Sequence, residues 1–386
     1  MGTAETPSVF LTALFLFSLL RALQKKATPG FLVSGFLLGL TTLCRAVSLL
    51  LPVWVHHWLP HRIFRRKGVQ LDCQPQGRYT PMTPMAVAIV NYNTREHLRA
   101  CLATVRSETP SEVVVVDNAS SDGSVEMVQA EYPWVYLHAN KTNVGYGAAA
   151  NQAIAHCTAK YVLLLNSDTL LQLGALGALS CYLDSHLRAA IVGPRLVNQD
   201  GALQASCYPF PTAINWLFLN SHLGRLIRFI PVLRDHYLPT WSHDHARLVP
   251  WVSGAAIGIR REALEEVGGF DEPFFMYYEE VDLCYRLSTA GWQVHFAPVT
   301  TVVHAGGAST SQNRTDMTVQ LLTSTMQFCR KHSSRLSLAE LRMLLKGLTL
   351  ARWIGDAVRL RLTRDACKRA RIADSIAAWQ RMLLGS

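Results

Sequence analysis

The sequence predicts an α/β fold with a mainly parallel central sheet, and three observations carry the prediction. Between residues 85 and 168 short apolar runs recur, each the length of a buried strand. The segments between them place apolar residues at helical spacing. Each run ends in polar residues, and open parallel sheets bind ligands beyond the carboxyl ends of their strands.

Taken in order, "MAVAIVNYN" from Met85 is a buried strand reaching a loop. In "TREHLRACLATVRS", Leu98, Leu102 and Val105 share one helix face. "EVVVVDNASSDGS" is a second strand ending in a polar turn, where Ser120, Ser121 and Asp122 suit a turn and a helix cap. "VYLHAN" is a third strand. "NVGYGAAANQAIAHC" is a glycine-bearing turn into a helix of small residues, and "YVLLLNSDT" is a fourth strand.

The flanks differ from this core. Residues 9–23 and 31–59 are apolar, the second run interrupted by Arg45. The basic cluster Arg62, Arg65, Arg66 and Lys67 follows them, as on the cytoplasmic side of a membrane anchor. Neither run is the clean stretch of roughly 20 apolar residues that a spanning helix needs. Residues 1–67 therefore read as a membrane-associated segment, 68–84 as a Pro/Gly-rich linker, 85–310 as the catalytic domain and 311–386 as a basic helical region. In the last of these, Ser337 and Glu340 have capping-box spacing. Leu338, Leu341, Leu345 and Leu348 form one face, with Arg342, Lys346 and Arg352 around it. Such a helix either lies on an anionic bilayer or packs on the domain.

The chain is 49% hydrophobic and 17% charged, with net charge +10 and mean hydropathy +0.14. Residues 311–386 hold 14 Lys+Arg against 5 Asp+Glu, so the excess sits in the tail. No nucleic-acid recognition motif accompanies it. The 9 cysteines are scattered without metal-ligand spacing and read as reduced thiols. His243, Asp244 and His245 in "WSHDHARL" imply no third ligand, so the segment reads as a loop.

Three strand ends can carry chemistry. Asp117 opens from a buried strand and can accept from a nucleobase or a ribose hydroxyl. Asp168, in "LLLNSDT", can hold a hard divalent cation that leaves places for phosphate oxygens. His304, in "VVHAGGAS", can join a metal site, with Gly306 and Gly307 allowing close approach to phosphate. Each alone is equally a turn, a cap or a structural histidine.

Together and in this order they resemble the family 2 glycosyltransferases of GT-A fold, and more closely their bacterial rhamnosyltransferase-like branch. The matching segments are "AIVNYN", "VVVDNASSDGS", "NVGYGAAANQA", "LLLNSDT", "WVSGAAIGIRREALEEVGGFDEPFFMYYEEVDLCYRLSTAGW" and "VVHAGGAS". The resemblance implies inverting transfer of a sugar, rhamnose or another deoxyhexose, from a dTDP- or UDP-linked donor. The acceptor would be a glycan or a polyprenyl-linked glycan at the cytoplasmic face of the membrane, with the enzyme peripheral or anchored there. It implies a divalent cation, Mg or Mn, held by Asp168 and His304. Asn91, Asp117, Asn143, Gly145, Asn166 and Asp168 fall on the donor side. Asn166 departs from the pattern, standing where D-x-D has its first acid, which removes one charge from the cation site.

The acidic stretch "FDEPFFMYYEEVDLCYRL" supplies the remaining need, a base for the acceptor hydroxyl. The resemblance places Glu280 at that base, Glu279 beside it, and Asp282 as an acceptor-side or bracing residue. Spacing alone does not choose between Glu279 and Glu280. On the same residues, a helix start with acids offsetting the dipole is the plain structural alternative. A nucleotidyltransferase or a non-catalytic carbohydrate-binding relative are the rival functions.

Overall fold

The computed structural model describes residues 83–212, 241–306, 314–333, 335–363 and 365–384. The expectations for residues 1–67, for most of the 68–84 linker and for Gly307 lie outside these described residues. All described elements belong to one compact unit, residues 68–386.

The first half alternates as its apolar pattern requires. β1 (Met85–Asn91) leads to α1 (Arg95–Ser107), β2 (Val113–Asp117), α2 (Ser124–Glu131) and β3 (Tyr136–Ala139). Then come α3 (Tyr146–Ala155), β4 (Tyr161–Asn166), β5 (Thr169–Leu171), α4 (Ala175–Ser185) and β6 (Ala189–Val197). β1 pairs in parallel with both β2 and β4, and β2 with β3. Because alternate side chains point to opposite faces, one strand feeds two cores. Val87 and Ile89 pack with Leu98, Leu102 and Val105 of α1. Ala86, Ala88 and Val90 pack with Ala149, Ala150 and Ala153 of α3, whose small residues let helix and sheet approach closely.

The second half closes the sheet. Short strands β7 (Leu203–Gln204), β8 (Cys207–Tyr208), β9 (Arg247–Leu248) and β10 (Trp251–Val252) precede β11 (Ala256–Arg260) and α5 (Arg261–Val267). α6 (Glu279–Thr289) and β12 (Gln293–His304) follow. Among the described residues the main sheet has ten strands, with β3-β2-β1-β4-β11-β6-β12-β5 as its path. It is mixed and mostly parallel, with β11 running antiparallel between β4 and β6. β11 starts at the carboxyl end of β4, where the Asn166 N–H donates to the Ala255 carbonyl at 2.9 Å, so it must run back along that strand.

Residues 241–248 begin as the expected loop and end in β9. His243 is fully buried there, stacked on Trp241, and its Nδ1 lies 2.8 Å from the Trp241 carbonyl oxygen. The six described cysteines are unpaired.

The tail forms α7 (Arg314–His332), α8 (Arg335–Leu362) and α9 (Ala366–Leu384). Here the structure chooses between the two readings of the leucine face. Leu341 and Leu345 are buried against Phe274, Val281 and Phe328, and Leu338 and Leu348 pack on the same cluster. That face therefore docks on the catalytic domain and is not open to a bilayer. The helix also begins two residues before Ser337, at Arg335.

Candidate active site

Two polar clusters meet above the carboxyl ends of β1, β2 and β4. The first is organised by buried amides. Asp117 is 1% exposed and accepts from Asn91 Nδ2 and from the Ser120 N–H, both at 2.8 Å. Asn91, expected on the donor side, is wholly buried, and its amide is engaged by Asp117, Ser120 and Thr94, so it braces Asp117. Asn143 likewise holds a turn: its Oδ1 accepts from Asn118 Nδ2 at 2.8 Å and from the Gly145 N–H at 3.0 Å. Asn118, which the sequence did not single out, also accepts from the Val144 N–H at 3.0 Å.

This turn is locked to the acidic stretch. The Tyr146 N–H donates to the Phe275 carbonyl at 2.8 Å. Gly145 has φ +90°, and a Cβ there would lie 2.7 Å from the Phe275 oxygen. Gly145→Ala therefore combines backbone strain with a backbone clash. We expect a lowered melting temperature and a raised donor KM, checked by thermal melts and steady-state kinetics.

The cation candidates converge. β12 runs antiparallel to β5 with His304 opposite Thr169, which brings His304 Nε2 to 3.3 Å from Asp168 Oδ1. Their side chains are 13% and 8% exposed. Asn166, half-buried, ends β4 two residues before Asp168. No group of three or more His, Cys, Asp and Glu suited to a metal occurs among the described residues. One carboxylate and one imidazole nonetheless fit a cation that takes its other ligands from diphosphate oxygens and water.

Gln204 completes this corner and was not foreseen. Its Nε2 donates to Asn198 Oδ1 at 3.1 Å, which turns its Oε1 toward His304 Nδ1 at 2.7 Å. An amide oxygen only accepts, so His304 Nδ1 donates to it, which leaves Nε2 as the ring atom turned toward Asp168. Gln204→Leu should weaken Mn²⁺ binding about 10- to 100-fold, as losses of such outer partners do, measured by calorimetry on the protein without donor.

The acidic cluster lies at the start of α6. Tyr277 and Tyr278 both adopt left-handed backbone, at φ +66° and +71°, which bulky residues rarely do. This strained turn launches Glu279 and Glu280 from the first helical turn. Glu279 is 5% exposed and packs against Gly147; Glu280 is half-buried and packs against Gly254. The Oε2 atoms of both are shielded and have no protein hydrogen-bond partner. Burial pushes the Glu279 carboxyl well above the usual range, and the Glu280 charge raises it further. Burial also raises Glu280, but backbone N–H groups, including those of Gly254 and Val281, pull it back. Both carboxyls are therefore raised by burial, and the backbone N–H groups offset part of that for Glu280.

Tyr146 links the two clusters. Its hydroxyl donates to the Gly254 carbonyl at 3.3 Å. Burial raises its pKa well above the ordinary value, and so do the charges of Glu279, Glu280 and Asp168, which places it within electrostatic reach of all three. The sequence offered one signal for it, its position directly after Gly145 in "NVGYG".

Asp282 braces the helix. It is fully buried and accepts from Arg286 Nε at 2.6 Å, Lys331 Nζ at 2.8 Å and His332 Nε2 at 2.7 Å. Arg286 reaches onward to the Val267 and Gly269 carbonyls, and Lys331 to Asp271. α7 thus pins α6.

Tyr146 thus joins the polar strand ends to the start of α6, bonding to the Phe275 carbonyl through its N–H and to the Gly254 carbonyl through its hydroxyl. Residues 81–331 match the family model described as "Glycosyltransferase like family 2", and the chain belongs to that family, in its rhamnosyltransferase-like branch. It is 31% identical over 280 residues to the N-acetylglucosaminyl-diphospho-decaprenol L-rhamnosyltransferase of Mycobacterium tuberculosis, covering 68% of this chain and 89% of that one. It is 26% identical over 226 residues to the dTDP-rhamnosyl transferase RfbF of Shigella flexneri, covering 57% and 68%. A solved mannosyltransferase from Pyrobaculum calidifontis, in complex with GDP-Man and Mn²⁺, aligns with a TM-score of 0.49 and 16% identity over 89% of this chain and 97% of that one. The chain is a glycosyltransferase.

Proposed function

We propose that this glycosyltransferase moves rhamnose or another deoxyhexose, with inversion, from a dTDP- or UDP-sugar to a polyprenyl-diphosphate-linked glycan at the cytoplasmic face of a membrane. One observation carries the reading: Glu280, paired with buried Glu279, packs on Gly254, and the next residue, Ala255, accepts from the N–H of Asn166, two residues before the Asp168–His304 pair. The M. tuberculosis relative, whose name carries a diphospho-decaprenol acceptor and L-rhamnosyl transfer, supports the substrate classes.

Asp117 and the turn at Asn143–Gly145 position the nucleoside. A divalent cation at Asp168 and His304 would neutralise the diphosphate as it leaves. Tyr146 separates the donor and acceptor halves and excludes water between them. The acceptor hydroxyl approaches Glu280, the more open of the two acids. As its oxygen forms a bond to the anomeric carbon, its proton passes to the Glu280 carboxylate. The anomeric carbon–oxygen bond to the diphosphate breaks with its electron pair on the departing oxygen. Holding both reactants in line supplies the remaining advantage over solution.

The test is a donor screen with purified protein, Mn²⁺ and a polyprenyl-diphosphate-linked N-acetylglucosamine, following nucleoside diphosphate release. dTDP-rhamnose should give the fastest release. Release from no dTDP-, UDP- or GDP-sugar would contradict the proposal.

A further inference from the structure

α8 is apolar on two opposite sides, and among the described residues only one of them packs into a hydrophobic cluster. Leu341 and Leu345 are buried on the catalytic domain. On the far side Met343, Leu350, Ile354, Val358 and Leu362 are 71%, 46%, 49%, 52% and 77% exposed. Their spacing of seven, four, four and four residues keeps them in one slowly advancing stripe. At 1.5 Å per residue that stripe is about 29 Å long. Aliphatic side chains exposed in a contiguous row mark a surface that something else covers. No described helix is long and apolar enough to cross a membrane, so α8 is a candidate for lying on a surface, not for spanning one.

Charge identifies the occupant. Arg342 and Lys346 are exposed along one edge of the stripe, and Arg361 is exposed at its end. Exposed Arg352 and Arg359 lie on the remaining turns, and the acids of α8 are Glu340 and Asp356 alone. Asp356 is already engaged by Trp379 and Arg359. α9 adds Lys368 and Arg369, also exposed. A second copy meeting this stripe would set cation against cation. A partner with an apolar interior and an anionic skin meets both features.

We propose that the Met343–Leu362 stripe is the docking face for an anionic lipid bilayer. α8 lies in the plane of the interface with this row among the acyl chains, while Lys346 and Arg361 reach back to the headgroups. The same helix presses Leu341 and Leu345 on Phe274 and Val281, which flank Glu279 and Glu280. The bilayer contact and the base are therefore two sides of one wall, which holds the acceptor side of the cleft at lipid level. The proposal rests on the reading of the acceptor as lipid-linked.

The experiment places the photoreactive residue p-benzoylphenylalanine at Ile354 in the full chain, with Glu126 on α2 as a control position. The protein is irradiated with vesicles of phosphatidylcholine, with or without one third phosphatidylglycerol, and adducts are read by mass spectrometry. Lipid adducts at 354, several-fold more with phosphatidylglycerol and scarce at 126, are expected. Adducts at 354 to a second chain would assign the stripe to a dimer, and adducts to residues 1–67 would assign it to the chain's own N-terminal segment. Either result, or equal lipid labelling at 354 and 126, would overturn the proposal. None of these readouts requires turnover. If lipid labels 354 but a water-soluble acceptor is used as well as a lipid-linked one, the docking face stands and the acceptor assignment falls.

Discussion

Glu280→Gln should lower kcat by about 10²- to 10⁴-fold, the range for loss of a positioned general base. Donor affinity should stay near the native value, because the proposed donor corner is formed by Asp168 and His304 and not by Glu280. The pH profile separates this from a structural effect. The base works only when deprotonated, and burial raises its pKa. The acid limb of kcat/KM should therefore fall above the ordinary glutamate range, and Glu280→Gln should abolish that limb. Glu279→Gln should behave differently. Its carboxyl is raised by burial and by Glu280, so the native fold binds that proton more tightly than the unfolded chain does. That contribution to stability is complete below the ordinary glutamate pKa and is lost as pH rises through the raised value. Removing the charge should then stabilise the protein at pH 7 by on the order of 1 kcal/mol, while activity falls, a trade found where function keeps a strained group. Thermal melts at pH 5 and pH 7 check it, since the gain should shrink at the lower pH.

The second large effect is at Asp282. Burial alone would raise its pKa, but Lys331, His332 and Arg286 hold it below the usual aspartate range. Asp282→Asn leaves Arg286 and Lys331 facing a neutral amide at a fully buried position. Breaking such a pair costs about 3–5 kcal/mol. The sign with pH is opposite to that of Glu279. A lowered native pKa gives stability that is present above the ordinary aspartate value and lost as pH falls through the depressed one. The native protein should lose stability along that acid limb, and Asp282→Asn should flatten it. Urea titrations from pH 7 to pH 3 measure both. A variant as stable as the native chain at pH 7 would show that α7 does not pin α6 through this residue.

How much of this was legible in the sequence follows from how local each signal is. β1, β2 and β4 are buried on both faces, so they appear as unbroken apolar runs. Asp117, Asp168, Glu279 and Glu280 stand at strand ends or a helix start inside segments with family pattern. Gln204 was illegible because it meets His304 from 100 residues away, out of a two-residue strand. His332, 50 residues beyond Asp282, and its neighbour Lys331 were illegible for the same reason. The bonds that Asn91 makes to Asp117 and Ser120 were illegible because a strand-end amide looks the same whether it faces a ligand or braces a neighbour. The leucine face of α8 was ambiguous because both of its sides are apolar, and periodicity alone does not say which side the protein covers.

The central claim is a single displacement at the anomeric carbon, with Glu280 taking the acceptor proton. The most direct measurement is the anomeric configuration of the freshly formed product by NMR, with the donor configuration known. The account predicts inversion. Retention would require a second displacement or a different attacking group, and would contradict it.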